Sequence, residues 1–146
     1  MRATLVISSI FACCLAAASQ DFQTRQQHVD AAAAALRAEQ AEEGRHCAAQ
    51  NQDEDNICSA QSAEAADRNL AVFYQNLKAI LAGEAQHTLQ ASQDAWLDYR
   101  KKTCDAVFAF YRDGTIRNAA QARCHTRLTS ERMRDLDYLY EGPLHH

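Results

Sequence analysis

Apolar positions recur at three- and four-residue steps along most of this 146-residue chain, and no stretch alternates β-branched with polar residues as a half-buried strand requires. The clearest stripe is Leu70, Phe73, Tyr74, Leu77, Ile80 and Leu81, one face of a helix over 57–82. A second runs through Trp96, Tyr99 or Arg100, Thr103, Val107 and Phe110, with Asp94, Asp98, Lys101 and Lys102 turned to water. A third, over 115–141, presents Ala120, Cys124, Leu128, Leu136 and Leu139. Ahead of these, 21–43 contains Ala31 to Ala35 followed by Leu36. It is a strong helix former with few large apolar groups, chiefly Phe22, Val29 and Leu36, and is expected to be helical yet weakly docked.

The glycines fall where these helices must stop, at Gly44, Gly83, Gly114 and Gly142-Pro143. Folding the chain back at Gly83 sets Leu77 opposite Leu89, Leu70 opposite Trp96 and Asp67 opposite Arg100, the last pair reading as a structural salt bridge. Folding it at Gly114 brings Cys104 and Cys124, each ten residues away, to one level. Facing positions on packed helices can then meet the roughly 4.4–6.8 Å between Cα atoms that a disulfide needs. Asp55 or Asn56 is expected to cap the second helix and Thr115 the fourth. The fold class that follows is all-α, an up-and-down bundle of about four helices stapled by two disulfides.

Composition adds a compartment. Met1-Arg2, an apolar run from Ala3 to Ala17 and the small residues Ala16 to Ala18 read as an export signal over 1–18, too short for a convincing membrane span. Ile10-Phe11-Ala12-Cys13 approaches a lipoprotein box but departs from it at Phe11, so membrane attachment would follow only from lipidation at Cys13. A periplasmic or secreted chain is expected, organised as an Ala-rich helix over 19–46, a helical domain over 47–141 and a tail over 142–146. Beyond the signal four cysteines remain, Cys47, Cys58, Cys104 and Cys124. Three pairings are open in principle, and sequence order favours the two local closures, 47–58 and 104–124. No Cys-x-x-Cys pair supports zinc, and Asp53 and Asp55 begin a calcium-loop spacing that no Gly or Glu completes, so no metal or cofactor is expected. Residues 19–83 carry twice as many acidic as basic side chains while 84–146 balance. That excludes the basic face of a nucleic-acid binder and suits a cationic protein partner.

Catalytic patterns are absent from the sequence: there is no nucleophile elbow, phosphate-binding glycine loop or His-Glu-x-x-His, and His28, His46, His87, His125, His145 and His146 share no spacing. Asp94 and Asp98 share a helical face with Lys101 and Lys102, as an ion-paired surface does, without the apolar pocket that would raise one acid's pKa.

Cys47, Cys58 eleven positions on, Asn69-Leu70 with Tyr74 and Leu77, Gln93-x-x-Trp96-Leu97-x-Tyr99-Arg100-x-x-x-Cys104, Gly114-Thr115 and Cys124-x-x-x-Leu128-Thr129-x-x-Arg132-x-x-x-Leu136 together resemble the LprI-type lysozyme inhibitor family. The resemblance spans Cys47 to Tyr140. It implies a small helical domain of the bacterial envelope or exterior whose partner is lysozyme or another cell-wall hydrolase. The bland alternative is a non-catalytic envelope adaptor or structural module for another protein. Trp96, Tyr99, Tyr74 and Leu77 are read as core. Gln93, Arg100, Asn69 and Arg132 are read as polar residues holding the helices in register. The candidate partner-binding tip is Arg112, Asp113, Gly114 and Thr115 with Arg117, cationic at both shoulders and held by the expected 104–124 bridge.

Overall fold

The computed structural model describes the backbone of residues 7–43 and 47–145 and the side chains of 21–43 and 47–145. The export signal over 1–18, the lipidation reading of Cys13, and the turn at Gly44 with His46 therefore lie wholly or partly outside the described residues. The described residues form five helices and no strand: α1 (Ile7–Glu43), α2 (Gln52–Ile80), α3 (Gly83–Phe110), α4 (Arg117–Leu139) and the short α5 (Glu141–His145). Both expected disulfides are present, Cys47–Cys58 with Cα atoms 5.9 Å apart and Cys104–Cys124 with 5.6 Å.

Helix α2 starts five residues earlier than its apolar stripe suggests, because Asn51 caps it rather than Asp55 or Asn56. Asn51 has extended backbone and accepts from Glu54 N at 2.9 Å, while the Glu54 carboxylate accepts from Gln50 N, also at 2.9 Å. Asp53, Glu54 and Asp55 then fill a first turn whose exposed N–H groups favour negative charge. At the other end Gly83 takes φ +58°, a backbone state L side chains rarely adopt, and so reverses the chain into α3 in two residues. At the end of α2, Lys78 O accepts from the capping Leu81 N at 3.3 Å and from Gln86 Nε2 at 3.0 Å, and Ile80 O accepts from Arg25 Nη1 at 3.2 Å. Thr115 does not cap α4. Its Ala119 N–H instead donates across the bundle to Asn56 Oδ1 of α2 at 3.1 Å.

That bond, with the Arg123–Asp55 ion pair, sets the starts of α2 and α4 side by side. The two helices run parallel in close contact, and α3 leans mainly on α4, touching α2 sparingly. Small residues buried along this seam, Ser59 and Ala66 on α2 with Ala119 and Ser130 on α4, permit the close approach. Larger side chains gather toward the opposite end, where Phe73, Leu77, Leu89, Met133 and Leu136 are fully buried and Trp96, Ile80, Leu81 and Tyr140 pack around them. Leu144 of α5 folds into the same cluster, so 142–145 is less a free tail than a latch, with Arg25 donating to Pro143 O at 3.2 Å.

The first helix departs most from expectation. Rather than docking weakly it lies along α2 over much of its length, burying Ala32 and Ala35, because its small side chains let the two backbones come close. Glu39 is 1% exposed, accepting from Asn69 Nδ2 of α2 at 2.9 Å and from Ser130 Oγ of α4. One carboxylate thus ties three helices.

Removing that carboxylate leaves half-buried Asn69 Nδ2 without its acceptor and Ser130 Oγ with only Thr126 O, at 3.0 Å. Glu39→Ala is expected to lower unfolding free energy by about 2–4 kcal/mol in urea titrations. Glu43→Ala, which breaks a partly exposed pair with Arg134, is expected to cost under about 1 kcal/mol. Equal losses in the two variants would contradict the role given to Glu39. Replacing both cysteines of either bridge by serine is expected to cost about 2–4 kcal/mol, more for 104–124 because it closes 20 residues against 11. Denaturation midpoints in the opposite order would overturn that ranking.

Candidate functional site: the stapled α3–α4 hairpin

Cys104 is fully buried on α3 and bonded to Cys124 of α4, so the two helices are clamped before they reach their connecting turn. Beyond the clamp the chain turns through 111–116, with Gly114 N donating to Tyr111 O at 2.8 Å and Arg117 N to Gly114 O at 3.3 Å. The Arg112 and Asp113 side chains are 78% and 92% exposed and face one another at 3.5 Å. Arg117 folds inward instead: its Nη1 donates to Arg112 O at 3.1 Å and its guanidinium lies over the Phe108 ring at 5.0 Å. The five tip residues are therefore brought together, but Arg112 reaches outward while Arg117 props the turn from behind.

Apolar groups share this tip. Phe110 is 81% exposed and meets Tyr111 edge to face at 4.9 Å, and Ile116 is exposed beside them. A shallow cleft of about 430 Å3 separates the turn from the start of α2, with Gln52, Asp53 and Asn56 on one wall and Arg112, Asp113 and Gly114 on the other. The tip is thus an aromatic and cationic knob held against a capped helix terminus.

The family-motif residues build a different structure, a polar latch between the helices. Trp96 lies between two guanidiniums, Arg100 at 5.0 Å and Arg132 at 5.8 Å. Arg100 pairs with Asp67 of α2, as the fold at Gly83 predicts, and donates to Thr129 Oγ1 of α4 at 2.6 Å. Arg132 of α4 donates to Gln93 Oε1 at 3.2 Å and Ser92 Oγ at 2.8 Å on α3. Tyr74 OH and Lys78 Nζ of α2 both reach Gln90 Oε1, at 2.8 and 2.7 Å. Burial, helped by Asp94, raises the Tyr74 pKa, so the phenol stays a donor.

Tyr74, Leu77, Gln93 and Asn69 thus sit where the sequence reading placed them, and Trp96 packs at the edge of the core. Three expected inward residues point outward: Tyr99 at 54%, Phe110 at 81% and Leu139 at 67% exposed. The sequence leaves Tyr99 or Arg100 open as the step after Trp96, and Tyr99 is read as core. The inward line runs Leu89, Gln93, Trp96, Arg100, Cys104, which turns Tyr99 and Phe110 away. Phasing from the buried cysteine would have found the exposed Phe110. Asp98 and Lys102 form an exposed pair one turn apart, as expected; Lys101 pairs in the same way with Asp105, and Asp94 accepts from Gln90 Nε2 at 2.9 Å. Among the described residues no group of His, Cys, Asp and Glu is placed to hold a metal ion, and no helix is long and apolar enough to cross a membrane.

His28 and His125 are both partly buried. His28 Nδ1 meets Asn76 Oδ1 at 2.7 Å, and His125 is half-buried near Arg100, Asp67 and Asp105. Burial lowers the His125 pKa below the ordinary 6.5; Arg100 pushes the same way, against Asp67 and Asp105. Well above 6.5 the ring is neutral in folded and unfolded chains alike. As pH falls through 6.5 the unfolded chain takes up the proton first, so the stability carried by the neutral ring is lost until the folded ring also titrates. Urea unfolding across this interval is expected to show the decline and His125→Gln to remove that part of it. Superimposable pH profiles for the two proteins would exclude the coupling.

No curated protein and no solved structure matches this chain significantly. The family described as lysozyme inhibitor LprI matches residues 45–136, which contain both disulfides, the polar latch and the whole knob. With well over half its length matched, and with the matched cysteines bonded in two local closures, the chain belongs to the LprI lysozyme inhibitor family.

Proposed function

We propose that this protein is an exported, non-catalytic inhibitor that binds a cell-wall glycan hydrolase such as lysozyme and closes its cleft with the α3–α4 knob. The observation that carries the reading is the coincidence of Phe110, at the end of α3, with Tyr111, Arg112 and Ile116 of the six-residue turn that follows, all exposed and clamped by a disulfide. Aromatic residues and arginine dominate the binding energy of protein interfaces, and a turn already ordered loses little further entropy when it docks. A glycan hydrolase offers an open groove with two carboxylates, to which an arginine can donate in bidentate fashion. The apolar side chains fill the space of a sugar ring, and the acidic first half of the chain steers a cationic enzyme toward the tip. Two disulfides suit the oxidising space outside the inner membrane, where such an enzyme acts.

In a turbidity assay of wall lysis, purified protein is expected to slow lysozyme. Phe110→Ser with Arg112→Ala is expected to raise the inhibition constant at least about tenfold with helix content unchanged. Arg68→Ala, on an exposed surface pair with Glu64, serves as the neutral control. Undiminished inhibition by the double variant would remove the knob from the mechanism. Failure of the intact protein against every lysozyme type would favour an adaptor for some other envelope protein.

A further inference from the structure

A second concavity, of about 470 Å3, opens where the end of α1 meets α2 and α4, beside Cys47. Four hydroxyls line it: Ser59 and Ser62 from α2, Thr126 and Ser130 from α4. Thr126 Oγ1 gives its proton to Ala122 O at 3.1 Å, and Ser130 Oγ bonds the Glu39 carboxylate. Both therefore have lone pairs left to offer. Ser59 differs. It is 2% exposed and its Oγ meets no partner, although a serine within a helix ordinarily bonds the carbonyl one turn back. An unpartnered buried hydroxyl costs free energy that a ligand can recover.

The rest of the lining is charged with both signs. Arg123 and Arg127 stand on α4, each oriented by an outer partner, Asp55 for the first and Glu131 at 2.7 Å for the second. Glu42 and Glu43 stand at the end of α1, Glu43 oriented by Arg134. The cleft thus combines two guanidiniums for an anionic group with two carboxylates and a set of hydroxyl lone pairs for a group rich in N–H donors. A simple anion would face the glutamates and a simple cation the arginines. A molecule carrying an ammonium and a carboxylate on neighbouring atoms satisfies both.

We propose that this cleft binds a small amino-acid zwitterion, supplied as the free amino acid or as a short unblocked peptide. Its carboxylate meets Arg127 and Arg123, its ammonium meets Glu42 and Glu43, and Ser59 gains a partner at the floor. The site is separate from the knob and does not depend on the inhibitory role. The test is a titration of the isotope-labelled, disulfide-bonded protein followed by amide resonances, with alanine, dialanine, N-acetylalanine and glycerol as probes. Saturable shifts at Ser59, Ser62, Thr126 and Arg127 are expected with alanine or dialanine, the tighter of the two identifying the source. N-acetylalanine, which lacks the ammonium, is expected to bind at least about tenfold more weakly. Ser59→Ala and Arg127→Gln are each expected to weaken binding about three- to tenfold. Arg127 is an exposed side chain whose loss leaves the fold in place, so the second variant can be read even if the first is destabilised. The proposal is overturned if no probe gives a saturable shift, if N-acetylalanine or glycerol binds as well as alanine, or if Arg127→Gln leaves affinity unchanged.

Discussion

The bond between Cys104 and Cys124 holds together the end of the bundle that hydrophobic burial supports least. Phe73, Leu77, Leu89, Met133 and Leu136 lie toward the end where α2 turns into α3 and α4 meets α5. Burying such a side chain contributes about 1.5–3 kcal/mol. Toward the α3–α4 turn the buried positions shrink to Ser59, Ala66 and Ala119, which contribute far less. Covalent closure substitutes for a core there, and it does so without covering the surface. Phe110 at the end of α3, and Tyr111 and Ile116 on the turn beyond it, can stay exposed because sulfur, not their own burial, orders that end. Cys47–Cys58 acts in the same region, tying the strand of chain before α2 to that helix.

The same uneven packing explains the chemistry of the motif. Helices α2 and α4 approach closely over small residues and leave α3 farther from α2. Long polar side chains span that distance, Arg100 to Asp67 and Tyr74 and Lys78 to Gln90, beside the apolar contact that Leu89 and Trp96 make with the core. Trp96 is the flat plate on which Arg100 and Arg132 rest. Partly buried ion pairs of this kind contribute more to the choice of one helix register than to net stability, since desolvation offsets much of their attraction. The motif is here largely an internal fastening, with Leu97 and Tyr99 at its outer side.

Much of this was legible from residue order alone. Gly83 and Gly114 marked two of the turns, whereas Gly142-Pro143, expected at a helix stop, lies within α5; equal spacing about Gly114 marked the 104–124 bridge, and folding at Gly83 paired Asp67 with Arg100. What escaped notice depended on partners distant in sequence. Asn56 caps α4 rather than its own helix because the α2–α4 seam carries it there. Alanines that look too small to dock a helix are what allow α1 to approach α2, and Glu39, unremarkable among acidic neighbours, finds donors 30 and 91 residues away. The tip was located by its turn and charges, but Phe110 was assigned inward through an error of helical phase. The cleft at Ser59 joins the ends of three segments and has no signal in any one of them.

The placement of Glu39 separates two boundaries that are easily confused. Similarity delimits 45–136, whereas cooperative burial extends from α1 to α5, because Asn69 and Ser130 inside that segment bond a carboxylate outside it and Leu144 plugs the core from beyond its other edge. A recombinant fragment trimmed to 45–136 would therefore begin without the acceptor that Asn69 uses and without the cover that α1 and α5 lay over the core, so the folding unit is longer than the segment by which its kinship is read.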